Sequence, residues 1–74
     1  MTVRAALTLD CLGQKCPQPI IELGRRIGEV AIGAVVELVA DDPAAAPDVA
    51  AWCRMRQQEL VGSAPPRFQV RRLR

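Results

Sequence analysis

The sequence predicts an α+β fold with the element order βαβαββ, in which two helices cover one face of a four-stranded mixed sheet. Three observations predict it. Segments near both ends of the chain alternate apolar and polar residues, two internal segments carry apolar residues at helical spacing, and glycine or proline marks most changes of period. A helix that follows a strand favours a right-handed crossover, which places both helices on the same side of the sheet. At 74 residues, the chain is expected to form a single domain spanning residues 1–74, without a deep cavity for a large cofactor.

The first strand and the first helix lie on either side of a short loop. Alternating apolar residues from Val3 to Leu9 predict a strand with one buried face. Pro17 has the fixed φ and the missing N–H that suit the first position of a helix, so we expect Cys16 at the N-cap. Apolar residues at helical spacing extend this helix to about Ile27, and Gly28 ends it.

The second strand and the second helix repeat this arrangement. Residues 34–40 form a short segment rich in β-branched side chains, which favours a mostly buried strand. Asp42 followed by Pro43 predicts an N-cap and a first helical position. Apolar residues at helical offsets continue the helix, and Pro47 is expected to bend or restart its first turn.

Two further strands complete the predicted sheet. A short strand is expected near residues 59–61, and the turn-forming residues from Gly62 to Pro66 predict a loop. Phe68 and Val70 alternate with polar neighbours, which predicts the last strand. Cys53 lies on the predicted inner face of the second helix, where we expect it to fill the core.

Composition excludes several classes of protein and site. The sequence has three cysteines and no histidine, so it cannot complete a four-ligand zinc site from soft ligands. Two adjacent carboxylates make a poor metal site, so we expect Asp41 and Asp42 to be a solvated charge and a helix cap, and we expect neither a metal nor a cofactor. The N-terminal residues lack the apolar region of a signal peptide, and no apolar run reaches the ~20 residues of a membrane span. We therefore expect a cytoplasmic protein with reduced thiols.

Cys16 is the candidate functional residue. A thiol at a helix N-cap faces the positive end of the helix dipole, which favours the nucleophilic thiolate, and Lys15 adds a positive charge. Pro17 and Pro19 have no N–H, so only Gln18 is expected to offer a nearby backbone donor. We therefore expect a modestly lowered pKa for Cys16, which suits a thiol that accepts a sulfur and later releases it.

The sequence around Cys16 favours exchange with another protein. The two prolines stiffen the start of the helix and hold the thiol in a protruding position. Without a histidine, and with no carboxylate evidently placed as a base, a cysteine hydrolase site is not predicted. The alternative is an ordinary half-buried N-cap, but Ser, Thr, Asp and Asn are the preferred N-caps, so a functional cysteine is favoured.

Together, the segments around Cys16 and Asp42 resemble the TusA/SirA family of small sulfur-carrier proteins. The segments that carry the resemblance are Leu9-Asp10-Cys11-Leu12-Gly13-Gln14-Lys15-Cys16-Pro17-Gln18-Pro19, Ala40-Asp41-Asp42-Pro43, and Asp48 through Cys53. The resemblance covers nearly the whole chain, and its specific part is the Cys-Pro-x-Pro block after a Leu-Asp-x-x-Gly strand end. Gln18 stands where an acidic residue is common in the family, and Cys11 is not part of the family motif.

The resemblance implies a two-layer α/β sandwich and sulfurtransferase activity. Cys16 would accept sulfur as a persulfide, with a cysteine desulfurase or a rhodanese as donor, and pass it to an acceptor protein. The supporting motif residues are Asp10, Gly13, Lys15, Pro17, Gln18 and Pro19. Family members serve tRNA thiolation, molybdenum-cofactor biosynthesis and sulfur oxidation, so the resemblance implies the chemistry without selecting the pathway.

The other loop residues have structural interpretations. Asp10 and Gly13 predict a turn, through an Asx-type hydrogen bond and a relaxed φ. Cys11 could act as a secondary thiol that resolves a persulfide or pairs with Cys16. We favour the simpler interpretation of Cys11 as a small apolar residue at the end of the strand.

Two alternative functions stay open. One is a thiol redox protein that uses Cys11 and Cys16, and the other is a non-catalytic docking module that uses the basic C-terminal end. Arg67 and Arg71 share one strand face whereas Arg72 and Arg74 share the other, and stacking aromatic residues are scarce, so we do not expect direct RNA binding. We expect a monomer without a membrane span.

Overall fold

A computed structural model describes residues 4–74 and confirms the predicted order of elements. The elements are β1 (Leu7–Asp10), α1 (Gln18–Arg26), a 3₁₀ turn (Ile27–Glu29), β2 (Val35–Val39), α2 (Ala45–Arg56), β3 (Glu59–Ala64) and β4 (Arg67–Arg71). The predicted first strand began at Val3, which lies outside the described residues. Within residues 4–74, no helix is long and apolar enough to cross a membrane.

The four strands form one mixed sheet in the order β1-β2-β4-β3. β1 pairs in parallel with β2, whereas β4 pairs antiparallel with both β2 and β3. A parallel pair needs a crossover connection, and α1 provides it. Because β1 and β2 run in the same direction, their C-terminal ends meet at one edge of the sheet.

The core lies between the sheet and the two helices, as predicted. Its helical residues include Leu23, Val49 and Trp52, and its strand residues include Leu38 and Phe68, each with less than a tenth of its surface exposed. Burying one such large apolar side chain contributes ~1.5–3 kcal/mol. This packing fixes the starts of α1 and α2 next to the C-terminal ends of β1 and β2.

The second helix begins later than predicted. Asp42 is not its N-cap: the N-cap is Ala44, and the helix starts at Ala45. The Asp42 side chain accepts the Ala44 N–H at 2.8 Å and its carbonyl accepts the Ala45 N–H at 2.9 Å, which closes a turn in front of the helix. Pro47 lies in the first turn, where its missing N–H leaves no hydrogen bond unmade.

The third strand is longer than predicted. The segment from Gly62 to Pro66 was expected to be a loop, but β3 continues to Ala64 and pairs with β4 there. A register shift between Leu60 and Gly62 leaves Val61 as the extra residue, and Gly62 pairs with Gln69. A glycine inside a strand often marks such a bulge, so the turn shortens to Pro65 and Pro66.

Candidate functional site

The candidate site lies in residues 11–17, between β1 and α1, at the edge where both helices start. Of the three cysteines, Cys16 is exposed, whereas Cys11 and Cys53 are buried. The site therefore presents one thiol to solvent, beside the first turn of α2.

Hydrogen bonds to two aspartates hold the first half of this loop. The Asp10 carboxylate accepts the Leu12 N–H at 3.1 Å, which confirms the predicted Asx turn. Gly13 has φ of +79°, a conformation that favours glycine. Its N–H donates to the Asp41 carboxylate at 3.0 Å, which connects the loop to the end of β2.

Asp42 holds the second half of the loop. Its Oδ2 accepts the Cys16 N–H at 3.2 Å. The hydrogen bonds from the Ala44 and Cys16 backbones, together with the nearby charge of Lys15, lower the pKa of the Asp42 carboxyl. Asp41 is exposed, as expected of a solvated charge, whereas Asp42 is not the helix cap, and each carboxylate also binds a backbone N–H of the cysteine loop.

The start of α1 differs from the prediction for Cys16. Pro17, not Cys16, is the N-cap, and the first helical hydrogen bond runs from the Ile21 N–H to the Pro17 carbonyl at 3.0 Å. The Gln18 N–H, expected to be a donor near the thiol, donates instead to the Lys15 carbonyl at 2.9 Å. Cys16 therefore lies one residue outside the helix, farther from the dipole than expected.

Asp48 is the site residue that sequence reasoning missed. The Cys16 Sγ donates a hydrogen bond to Oδ2 of Asp48, in the first turn of α2. This hydrogen bond, then desolvation and the charges of Asp48 and Asp42, raise the pKa of the Cys16 thiol to about 11. The expected modest lowering of that pKa is wrong, because the thiol donates to a carboxylate and Cys16 lies outside the helix.

A signal for Asp48 was present in the sequence. An acidic residue in the first turn of a helix is common, since it complements the dipole, so its local sequence does not distinguish Asp48 as a site residue. The predicted topology, however, brings the starts of both helices to one sheet edge. A carboxylate in the first turn of the second helix is therefore a candidate neighbour of a thiol at the start of the first.

A shallow apolar groove adjoins the thiol. It has a volume of about 330 Å³ and lies between α1 and α2. Its lining residues are Cys16, Pro17, Ile20, Asp48, Ala51, Trp52 and Met55. Met55 is 80% exposed, so the groove has an apolar rim that a second protein could cover.

The other two thiols lie in the core. Cys11 is 1% exposed and Cys53 is 3% exposed, and burial raises the pKa of both thiols, to about 11 for Cys53. These positions agree with the interpretation of both residues as core. A redox pair of Cys11 and Cys16 would require Cys11 to leave the core.

The basic C-terminal end is engaged within the chain. Arg67 pairs with Glu37 at 2.8 Å and Arg71 pairs with Glu59 at 3.0 Å. Arg72 donates to the Val30 carbonyl at 2.7 Å. Three of the C-terminal arginines therefore have acceptors within the chain.

Comparisons with known proteins identify a matching family model and a similar protein. Residues 7–71 match the family model described as sulfurtransferase TusA. A relative from Archaeoglobus fulgidus, described as "Putative sulfur carrier protein", is 38% identical over 53 residues. The aligned part covers 72% of this chain and 69% of that protein.

Proposed function

Since the chain belongs to the TusA sulfurtransferase family, we propose that it carries sulfane sulfur as a persulfide on Cys16 and relays it to a partner protein. The family match and the similarity to the Archaeoglobus relative support a role in sulfur transfer. The observation that carries the assignment to Cys16 is its exposure at the edge where α1 and α2 begin, while Cys11 and Cys53 are buried.

The transfer is an exchange between sulfur atoms. The Cys16 Sγ attacks the outer sulfur of a donor persulfide, an Sγ–S bond forms, and the S–S bond of the donor breaks. The electron pair of that bond goes to the donor sulfur, which takes up the proton that Cys16 gives up. Cys16 then holds –S–SH and the donor holds –SH, so the step involves no net oxidation. Delivery to the acceptor repeats the exchange in the opposite sense.

The remaining parts of the site support this role. Hydrogen bonds that involve backbone N–H groups fix the loop, and the residues concerned include Asp10, Gly13, Asp41 and Asp42. Pro17 and Pro19 limit the conformations at the start of α1. Lys15 precedes the motif and Gln18 lies within it, both at exposed positions. The apolar groove beside the thiol offers a surface for a partner's reactive segment.

The partners that fit this chemistry are proteins with reactive cysteines. A cysteine desulfurase or a rhodanese would supply the sulfur, and an acceptor in tRNA thiolation, cofactor biosynthesis or sulfur metabolism would receive it. The protein would act as a single domain in the reducing cytoplasm, where Cys16 stays available as a thiol.

Intact mass spectrometry tests the proposal. The protein is incubated with a cysteine desulfurase and cysteine, and we expect the mass to increase by one sulfur atom, with loss of the addition on treatment with dithiothreitol. Cys16→Ala should abolish the addition, and Cys11→Ala serves as the matched control that keeps it. If the Cys16→Ala protein still gains the sulfur, the assignment to Cys16 is wrong.

A further inference from the structure

The contact between Cys16 and Asp48 joins two distant parts of the chain. The two residues are 32 positions apart, and the hydrogen bond connects the loop before α1 to the first turn of α2. Within residues 4–74, Asp48 forms no ion pair with a lysine or an arginine. Its carboxylate is half-buried and holds only the thiol among the polar contacts described.

The other charged groups near Cys16 have different roles. Asp42 accepts the backbone N–H groups of Cys16 and Ala44, so its carboxylate is occupied by the loop and by the turn before α2. Lys15 is exposed and acts on the Asp42 carboxyl through its charge. Asp48 is therefore the carboxylate at this site that can exchange its partner without opening the backbone.

On the basis of the proposed function, we propose that Asp48 is a positioning residue that holds Cys16 as a thiol in the free chain and is drawn away by a lysine or arginine of the docking partner. The partner is thus a protein whose reactive cysteine is flanked by basic side chains. The inference deepens the sulfur relay by naming the chemistry of the partner's site.

A cation from the partner has two effects on the thiol. It forms an ion pair with the Asp48 carboxylate in a groove that docking shields from water, where such a pair is stronger than at a free surface. It also replaces a negative neighbour of Sγ by a positive one, which favours the thiolate. The thiolate then attacks the outer sulfur of the partner's persulfide, and the proton from Sγ ends on the partner's released thiol.

In the absence of a partner, the same contact protects the thiol. Small oxidants and electrophiles react with thiolates, and a carboxylate that accepts the S–H proton keeps the thiolate fraction small. Asp48 therefore selects for reaction with a docked cationic site over reaction with small molecules in solution.

Two matched peptides test the inference. Each carries one cysteine persulfide, flanked by lysines in one peptide and by glutamates in the other. The rate of sulfur loading on Cys16 is measured by rapid quench and intact mass for the wild type, for Asp48→Asn, and for Glu59→Gln. Glu59 pairs with Arg71 at the end of the sheet remote from Cys16, so its variant controls for the loss of one negative charge.

We expect the wild type to prefer the lysine peptide, and Asp48→Asn to reduce this preference about two- to fivefold, the range of one partly exposed charge pair. Comparing the ratio of the two rates between proteins cancels the difference in reactivity between the two peptides. The Glu59→Gln protein should keep the wild-type ratio.

The outcomes separate this inference from the proposed function. If both peptides load sulfur on Cys16 and the ratio is the same in the wild type and in Asp48→Asn, the role of Asp48 is refuted while the relay stands. If neither peptide loads Cys16 in any of the three folded proteins, the proposed function itself fails. Circular dichroism establishes that each variant is folded before the rates are compared.

Discussion

Replacing Asp48 by Asn should make Cys16 more reactive toward small electrophiles. The hydrogen bond to this carboxylate is the largest cause of the raised pKa of the thiol, which is about 11 against an ordinary value of 9.0, and desolvation and the charge of Asp42 also contribute. An amide of the same shape removes the negative charge, so the pKa should fall toward that ordinary value. Because both pKa values lie above pH 7, the thiolate fraction at pH 7 rises with the ratio of the two dissociation constants, which is at most about 100-fold, the limit in which the whole pKa shift is removed.

A more acidic thiol gives a weaker nucleophile, and this offsets part of the gain. With a Brønsted coefficient of ~0.4–0.5, a pKa lower by about 2 reduces the rate per thiolate by about 6- to 10-fold. The net expectation is a rate of alkylation at pH 7 that increases by at most about 10- to 16-fold. The larger thiolate fraction therefore determines that the alkylation rate increases, and the weaker nucleophilicity affects only the size of the increase.

The assay follows alkylation of Cys16 by iodoacetamide under pseudo-first-order conditions between pH 6 and pH 10. The wild-type rate should still rise at pH 10, whereas the Asp48→Asn rate should approach a plateau near its lower pKa. Glu59→Gln should follow the wild-type profile. An Asp48→Asn protein that is alkylated no faster than the wild type at pH 7 would refute the reasoning that the carboxylate controls this thiol.

Three further predictions concern stability and are measured by urea denaturation. Leu23→Ala should cost about 2–5 kcal/mol, because Leu23 is fully buried, whereas Leu12→Ala at an exposed position should change stability by less than about 0.5 kcal/mol; equal effects would contradict the described core. Gly13→Ala should cost about 1–2 kcal/mol because φ is positive there although space for a methyl group is available, and an unchanged midpoint would exclude that backbone conformation. The Asp42 carboxyl has a lowered pKa, so its contribution is present above the ordinary carboxyl pKa of ~3.9 and is lost as pH falls through the folded value. The wild type should consequently lose more stability below pH 4 than Asp42→Asn, and parallel pH profiles would contradict this.

The order and type of the elements were predictable because each rests on a local pattern. The structure contains the strands predicted from alternation (β1 and β4), the helix predicted from helical spacing (α1) and the strand predicted from β-branched content (β2). The boundaries were less predictable because they depend on contacts between distant residues. β3, for example, extends past Gly62 because β4 offers pairing partners as far as Ala64.

In the candidate site too, local features were predictable and contacts between distant residues were not. Cys16 could be selected from its motif, and the turn at Asp10 and Gly13 from local chemistry. The direction of its pKa shift could not be predicted, because the charges that matter belong to Asp42 and Asp48, which lie 26 and 32 residues away along the chain. The helix dipole is a local effect that can be anticipated from the start of α1, whereas the hydrogen bond from the thiol to Asp48 depends on how the two helices are placed.

The corner between β2 and α2 has a consequence for the dynamics of the cysteine loop. Asp41, Asp42 and Asp48 lie within eight consecutive residues, and they accept hydrogen bonds from Gly13 and Cys16. A single local opening of this corner breaks all three contacts, so the amide protons of Gly13 and Cys16 should exchange with solvent in the same cooperative event. The protonation state of the Cys16 thiol is therefore coupled to the local opening of residues 41–48, a segment that contains no cysteine.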